Sequence, residues 1–154
     1  MRLRVLIFED KPSIRKILWM LGDRRGYEVL TFSDPALCPF HGKPPYPCPR
    51  STVCADLLLV DLRMPEVPGL DFVEALVANG CPAPQIALMP GAWAPAEHAR
   101  AVRLGCRLFR KPFAIAELLA WFAAVEAQVA PTRALLDWWA PGWRTARSAP
   151  GAGL

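Results

Sequence analysis

Four polar residues fall where short apolar runs end. Glu9 and Asp10 follow "LRVLIF", Asp61 lies near the close of "ADLLLVDL", and Lys111 follows "RLFR". Brought into one crevice, three carboxylates repel, and each raises the pKa of its neighbours unless a cation intervenes. A hard divalent cation such as Mg²⁺ answers that need. It accepts carboxylate oxygens and keeps waters that a phosphate can displace. A lysine adds a compact positive charge suited to a phosphoryl oxygen. Such a set is equipment for handling a phosphoryl group, and a carboxylate can serve as the nucleophile, forming an aspartyl phosphate.

A second group lies in "CPFHGKPPYPCPRSTVC", Cys38 to Cys54. Cys38, His41, Cys48 and Cys54 make up a Cys₃His set for a structural Zn²⁺. The Cys38-x-x-His41 spacing is knuckle-like, and the second pair is looser. The same ligands suit an iron–sulfur cluster. A Cys48–Cys54 disulfide is another reading, as is a proline-braced loop whose reduced thiols pack as small apolar groups. The sequence leaves these open.

The elements that must position these residues show in the hydrophobic pattern. "LRVLIF" reads as a buried strand. Pro12 suits the first turn of a helix, and Ile14, Ile17, Leu18 and Leu21 follow as one stripe. "YEVLTF" is a second strand, and "ADLLLVDL" a third. A helix is predicted over Gly69 to Ala78. "QIALM" is a fourth strand. A helix with Pro95 at its start and Gly105 past its end follows, then the short strand "RLFR" and the long helix "AIAELLAWFAAVEAQVA". Apolar strands alternating with amphipathic helices imply a parallel sheet covered on both faces. Right-handed connections leave doubly wound α/β topologies. In those folds functional groups gather at the carboxyl ends of strands, where Glu9, Asp10, Asp61 and Lys111 fall.

Composition narrows the classes. The 154 residues suit one domain with a short tail, and 53% apolar with 21% charged content suits a packed core. The first apolar run spans only four residues, too few for a signal peptide. "FAIAELLAWFAAVEAQVA" carries Glu117 and Glu126 and falls short of a membrane span. A cytoplasmic protein with reduced thiols is expected, without membrane insertion. The net charge of +4 is mild. Arg100, Arg103, Arg107, Arg110 and Lys111 form only a modest cluster, so a partner-facing surface is favoured over direct nucleic-acid binding. There is no Gly-rich nucleotide loop. The two histidines, His41 and His98, form no nucleophile–histidine pair, so a stand-alone enzyme is disfavoured.

With these residues in place, the sequence resembles the receiver domains of two-component response regulators. "FED" is similar to the family's acidic pair, "LLLVDLRMPEVPGLDF" to its acceptor motif with Met64, Pro65 and Gly69 in step, and "RKPF" to its lysine–proline motif. The resemblance covers about Leu3 to Ala130. It implies a five-stranded, flavodoxin-like receiver fold. It also implies that Asp61 is the phosphoacceptor and that Lys111 contacts the phosphoryl group. Mg²⁺ would be held by Asp10, by Asp61, by the backbone carbonyl of Arg63 and, through water, by Glu9. A cis peptide would precede Pro112. The implied partners are a histidine kinase or phosphotransfer protein and a downstream protein.

The sequence departs from the family pattern in four places. Met89 and Pro90 stand where a hydroxyl residue and a small residue are usual, and neither donates a hydrogen bond there. A one-residue slip would let the Gly91 N–H substitute. Leu108 stands at the aromatic switch position, with Phe109 after it, and Gly105 is one residue closer to Lys111 than is common. Residues 34–55 replace the family's second helix, because Pro39, Pro44, Pro45, Pro47 and Pro49 forbid a continuous one. A receiver over 1–130 and a tail over 131–154 are expected. That tail is too short for an output domain, and its end is expected to be disordered. Leu135, Leu136, Trp138, Trp139 and Trp143 suit a short helix packed on the receiver or a docking segment. The leading expectation is phosphorylation-dependent signalling. The alternative is a degenerate receiver acting as a phosphorylation-independent interaction or metal-responsive module.

Overall fold

The structure is a computed structural model that describes residues 2–35, 53–81, 83 and 85–135. Among these residues the chain runs β1 (Arg4–Phe8), α1 (Pro12–Arg24), β2 (Glu28–Phe32), β3 (Leu57–Asp61), α2 (Gly69–Ala78), β4 (Gln85–Met89), α3 (Pro95–Leu104), β5 (Arg107–Leu108) and α4 (Ile115–Gln128). The strands form one sheet in the order β2-β1-β3-β4-β5. Every pairing is parallel. This is the doubly wound α/β architecture read from the sequence. The strand order reverses between β1 and β3, so their carboxyl ends open a crevice.

Burial explains why these runs became strands. All five residues of β1 and of β3 are buried, the apolar runs Val5–Phe8 and Leu57–Val60 as expected in a sheet covered on both faces. Side chains alternate between two cores. Leu6 and Phe8 join Leu58, Val60 and Leu88 under α2 and α3, packed by Leu70, Phe72, Val73 and Ala101. Val5 and Ile7 join Leu57, Leu59, Ala87 and Met89 under α1 and α4, packed by Leu18, Leu118, Phe122 and Val125. Phe8 stacks on Phe32 at 5.0 Å and meets Phe72 edge-on at 4.8 Å. Burying a side chain of this size contributes about 1.5–3 kcal/mol.

The helix ends follow local chemistry. Pro12 and Pro95 sit in the first turns of α1 and α3, where a missing N–H costs nothing. Gly105 closes α3 at φ 72°, a left-handed cap that favours glycine. β5 is shorter than the expected "RLFR". Phe109 still donates its N–H to the Leu88 carbonyl at 2.9 Å.

The start of the tail returns to the body. The Val53 N–H bonds the Ala134 carbonyl at 3.1 Å, and Val53 and Leu135 form a parallel bridge. Arg133 grips the buried Asp56 carboxylate with contacts of 2.5 and 2.6 Å and donates to the Arg2 carbonyl at 3.0 Å. This docking is extended backbone. The Trp138, Trp139 and Trp143 part of the tail, and most of the Cys/Pro segment, lie outside the described residues.

Candidate functional site

The crevice beyond β1 and β3 gathers the four residues singled out by chemistry. Glu9 leaves β1, and its N–H bonds the Phe32 carbonyl at 3.0 Å, so its side chain is held at the sheet rim, fully buried. Asp61 is the last residue of β3 and is also buried. Lys111 arrives from beyond β5, fixed by its N–H on the Pro90 carbonyl at 2.6 Å. Its Nζ donates to Glu9 Oε2 at 2.7 Å and to Asp61 Oδ1 at 2.9 Å. The Lys111–Pro112 peptide is cis.

One oxygen from each of Glu9, Asp10 and Asp61 lies within 4.8 Å of the others. Burial raises Glu9 to about 7, against the hydrogen bonds from Lys111 and the Lys11 N–H. Burial likewise raises Asp61, against Lys111. For Lys111, burial pulls downward, but its bonds to Glu9 and Asp61 together outweigh it and the pKa is raised. The lysine thus partly serves as the cation that three crowded acids require. Asp10 Oδ1 is buried with no hydrogen-bond partner. Such an atom is costly unless something binds it, and a hard divalent cation with oxygen ligands fits the set.

The surrounding chain is built close around Asp61. Gly69 opens α2, with its N–H on the Leu62 carbonyl at 2.9 Å. A Cβ on Gly69 would lie 1.9 Å from the Asp61 carbonyl oxygen. Glycine is therefore demanded by space at this position. Arg15 of α1 donates to the carbonyls of Glu9 at 2.8 Å and Asp10 at 3.3 Å, bracing the acidic turn. The Arg63 side chain leaves the crevice, reaching the Ala92 carbonyl at 3.2 Å and Glu97 of α3 at 3.0 Å.

The β4 side is apolar. Asp61 pairs with Met89 in the β3–β4 register, with no slip toward Gly91. Met89 is fully buried among the residues under α1 and α4. Pro90 contributes only its carbonyl. Leu108 pairs with Leu88 and packs toward α2 and α3. Phe109 turns to the opposite core, 5.4 Å from Trp121. The aromatic ring next to the switch position is therefore on the other face of the sheet.

The Cys₃His reading involves residues mostly outside the described ones: Cys38, His41 and Cys48. Cys54 is described. It is buried in the core under α2 and α3, and its thiol hydrogen-bonds to Cys81. Sequence reasoning missed that partner, and it missed the Asp56–Arg133 pair. The one available signal for Asp56 was an acid at the start of the apolar run that opens β3.

No protein-family model and no curated protein matches this chain. Solved structures do. The receiver domain of the Francisella response regulator 1452 superposes with a TM-score of 0.66 at 16% identity, covering 82% of this chain and 98% of that one. Chemotaxis protein CheY4 of Vibrio cholerae gives 0.63 at 24% identity, covering 81% and 99%. A response regulator receiver protein from Pseudomonas putida gives 0.66 at 23%, covering 80% and 98%. The chain has the receiver fold.

Proposed function

We propose that this chain is a phosphoacceptor receiver of two-component signalling. It takes a phosphoryl group onto Asp61 from the phosphohistidine of a kinase or phosphotransfer protein and passes the signal by protein–protein contact. The observation that carries this reading is the placement of buried Asp61 within 2.9 Å of Lys111 and beside Glu9 and Asp10, in a crevice at the strand ends. An Asp61 carboxylate oxygen attacks phosphorus in line, a new O–P bond forms, and the P–N bond to the donor imidazole breaks. Catalysis of such a transfer is positioning plus charge stabilisation. Lys111 is placed to follow a phosphoryl oxygen as negative charge leaves the Asp61 carboxylate. Asp10, Asp61, the Arg63 carbonyl and, through water, Glu9 are the groups that would hold Mg²⁺, which supplies charge neutralisation on the transferring group.

In this role the chain is a signalling domain rather than an enzyme acting on a free substrate. A cytoplasmic location is part of the proposal. No helix among the described residues is long and apolar enough to cross a membrane.

A second reading has its own observation. Met89 and Pro90 give the β4 side of the crevice no side-chain hydroxyl and no proline N–H. A receiver that signals without phosphorylation would tolerate this. Incubation with acetyl phosphate and Mg²⁺, followed by intact mass, separates the two. A gain of one phosphoryl group that Asp61→Asn abolishes supports the first. No gain by the wild type with a competent donor, or equal gain by the variant, overturns it.

A further inference from the structure

We propose that Arg15 is a positioning residue for the divalent cation, setting the affinity of the Asp61 crevice for Mg²⁺ by fixing the Glu9–Asp10 turn. This role rests on the reading of the crevice as a Mg²⁺-dependent phosphoacceptor site. Arg15 stands in the first turn of α1, and its side chain is half-buried. Its Nη1 donates to the Glu9 carbonyl at 2.8 Å and to the Asp10 carbonyl at 3.3 Å. One guanidinium nitrogen thus bridges two successive main-chain oxygens of the acidic turn. An arginine has no acceptor atom, so it acts through that backbone and not as a metal ligand.

The helix itself gives no reason for an arginine here. The first turn of α1 holds no acidic residue, and Lys11 at its N-cap makes no side-chain cap. A cation at this end opposes the helix dipole, which favours negative charge at the N-terminus. The acidic turn supplies the reason. Glu9 is tied by its N–H to the Phe32 carbonyl at 3.0 Å, and its Oε1 accepts from the Lys11 N–H at 3.1 Å. Arg15 adds the tie that reaches Asp10.

The oxygen inventory shows what that tie achieves. Arg15 engages the main-chain oxygens of both residues and leaves their carboxylates to the crevice. Asp10 Oδ1 is buried with no hydrogen-bond partner, and one oxygen from each of Glu9, Asp10 and Asp61 lies within 4.8 Å of the others. Groups that orient metal ligands without touching the ion typically change metal affinity by about tenfold to a hundredfold. Charge and position make opposite demands at Arg15. A guanidinium beside a site for a dication repels it, so removing that charge alone would tighten Mg²⁺ binding. Removing the brace frees the turn that carries Asp10, and so weakens binding. The sign of the change separates the two effects.

The test titrates Mg²⁺ into the full chain by calorimetry, with no phosphoryl donor present, for the wild type, Arg15→Met and Arg15→Lys. Methionine keeps the apolar stem and removes the donors. Its Kd for Mg²⁺ should rise about tenfold to a hundredfold. Lysine has three N–H donors on one nitrogen and can serve both carbonyls, so it should recover most of the affinity. Thermal melts in metal-free buffer establish that each variant is folded. If Arg15→Met does not fold, Arg15→Ala takes its place and is read by the same sign. With acetyl phosphate added, the loss should fall on the Mg²⁺ concentration for half-maximal uptake more than on the maximal rate. Mg²⁺ binding that is unchanged or tighter in Arg15→Met overturns the proposal. So does an equal loss in Arg15→Met and Arg15→Lys, or a wild type that binds no Mg²⁺. Weakened Mg²⁺ binding in Arg15→Met that Arg15→Lys restores, with no phosphoryl uptake by any of the three proteins, upholds the positioning role and overturns the phosphoacceptor reading instead.

Discussion

Met89 lies directly across from Asp61 in the parallel pairing of β3 and β4, fully buried. The residue best placed to report the state of Asp61 to β4 therefore offers a thioether and no donor. A hydrogen bond to a charged group contributes about 1.5–3 kcal/mol. Without it, a phosphorylated state lacks one differential contact, which is what a population shift requires. Met89→Thr should restore it. NMR shift changes on adding a phosphoryl mimic should be larger in the variant than in the wild type. The exchange leaves a void in the core under α1 and α4, so urea titration should show a loss of about 2–4 kcal/mol. Equal shift changes in both proteins would sink the idea.

Gly69 is fixed by space. An added Cβ would meet the Asp61 carbonyl oxygen at 1.9 Å and its carbon at 2.8 Å, both backbone atoms that cannot rotate away. Gly69→Ala should destabilise the fold by about 1–3 kcal/mol. It should also slow phosphoryl uptake about tenfold to a hundredfold, since a small displacement of a nucleophile is costly. Stopped-flow or timed intact mass checks the rate. Unchanged uptake in a folded variant would contradict this account.

Much of the crevice was legible because its signals are local. Apolar runs ending in acids gave β1 and β3, and the carboxyl-end rule for parallel sheets gathered Glu9, Asp10, Asp61 and Lys111. The Met89 position followed from counting, and Met89 pairs with Asp61 in the β3–β4 register. What escaped was long-range. Asp56 and Arg133 are 77 residues apart in sequence, and no periodicity joins a strand start to a tail. Cys54 found a thiol beyond α2 because the helix returns the chain to the amino ends of the strands. That return depends on helix length and on the turn at Gly80, features that cysteine spacing does not encode. The inward turn of Phe109 followed from strand alternation, but only the pairing of Leu88 with Leu108 fixed which face it took.

The Asp56–Arg133 pair should matter far more than the exposed pairs. Asp56 is 1% exposed and is held by two Arg133 nitrogens and by the Arg4 N–H at 2.8 Å. Arg133→Ala leaves that buried charge short of its countercharge. The expected loss is about 3–5 kcal/mol in urea titration. Arg63→Ala removes a pair whose arginine is 63% exposed, and it should cost less than about 1 kcal/mol. Equal losses in the two variants would refute the ranking.

Asp10 Oδ1, buried without a partner, makes a prediction about divalent cation. Mg²⁺ at about a hundred times its Kd should stabilise the wild type by about 2.7 kcal/mol. Asp10→Asn should lose that response. In metal-free buffer the variant should be no less stable than the wild type, because a neutral amide is cheaper to place there than a carboxylate with one buried oxygen left without a partner. Thermal melts with and without Mg²⁺ check both arms. An unaltered Mg²⁺ response in Asp10→Asn would remove Asp10 from the ligand set.

Cys81 supplies the pH dependence. Its bond from Cys54 carries it from the ordinary 9.0 to about 7, while burial raises Cys106 to about 11. A thiol with a lowered folded pKa adds stability fully present above its unfolded value and lost as pH falls through the folded one. This contribution should therefore grow between about pH 7 and pH 9. Reactivity follows the same proton. Iodoacetamide alkylation of Cys81 in the native state should rise with a midpoint near 7, and that of Cys106 should stay low across the range. Removing the donor in Cys54→Ala should move the Cys81 midpoint upward. A rate profile for Cys81 centred near the ordinary thiol value, and unmoved by Cys54→Ala, would show that the two sulfurs do not interact in solution.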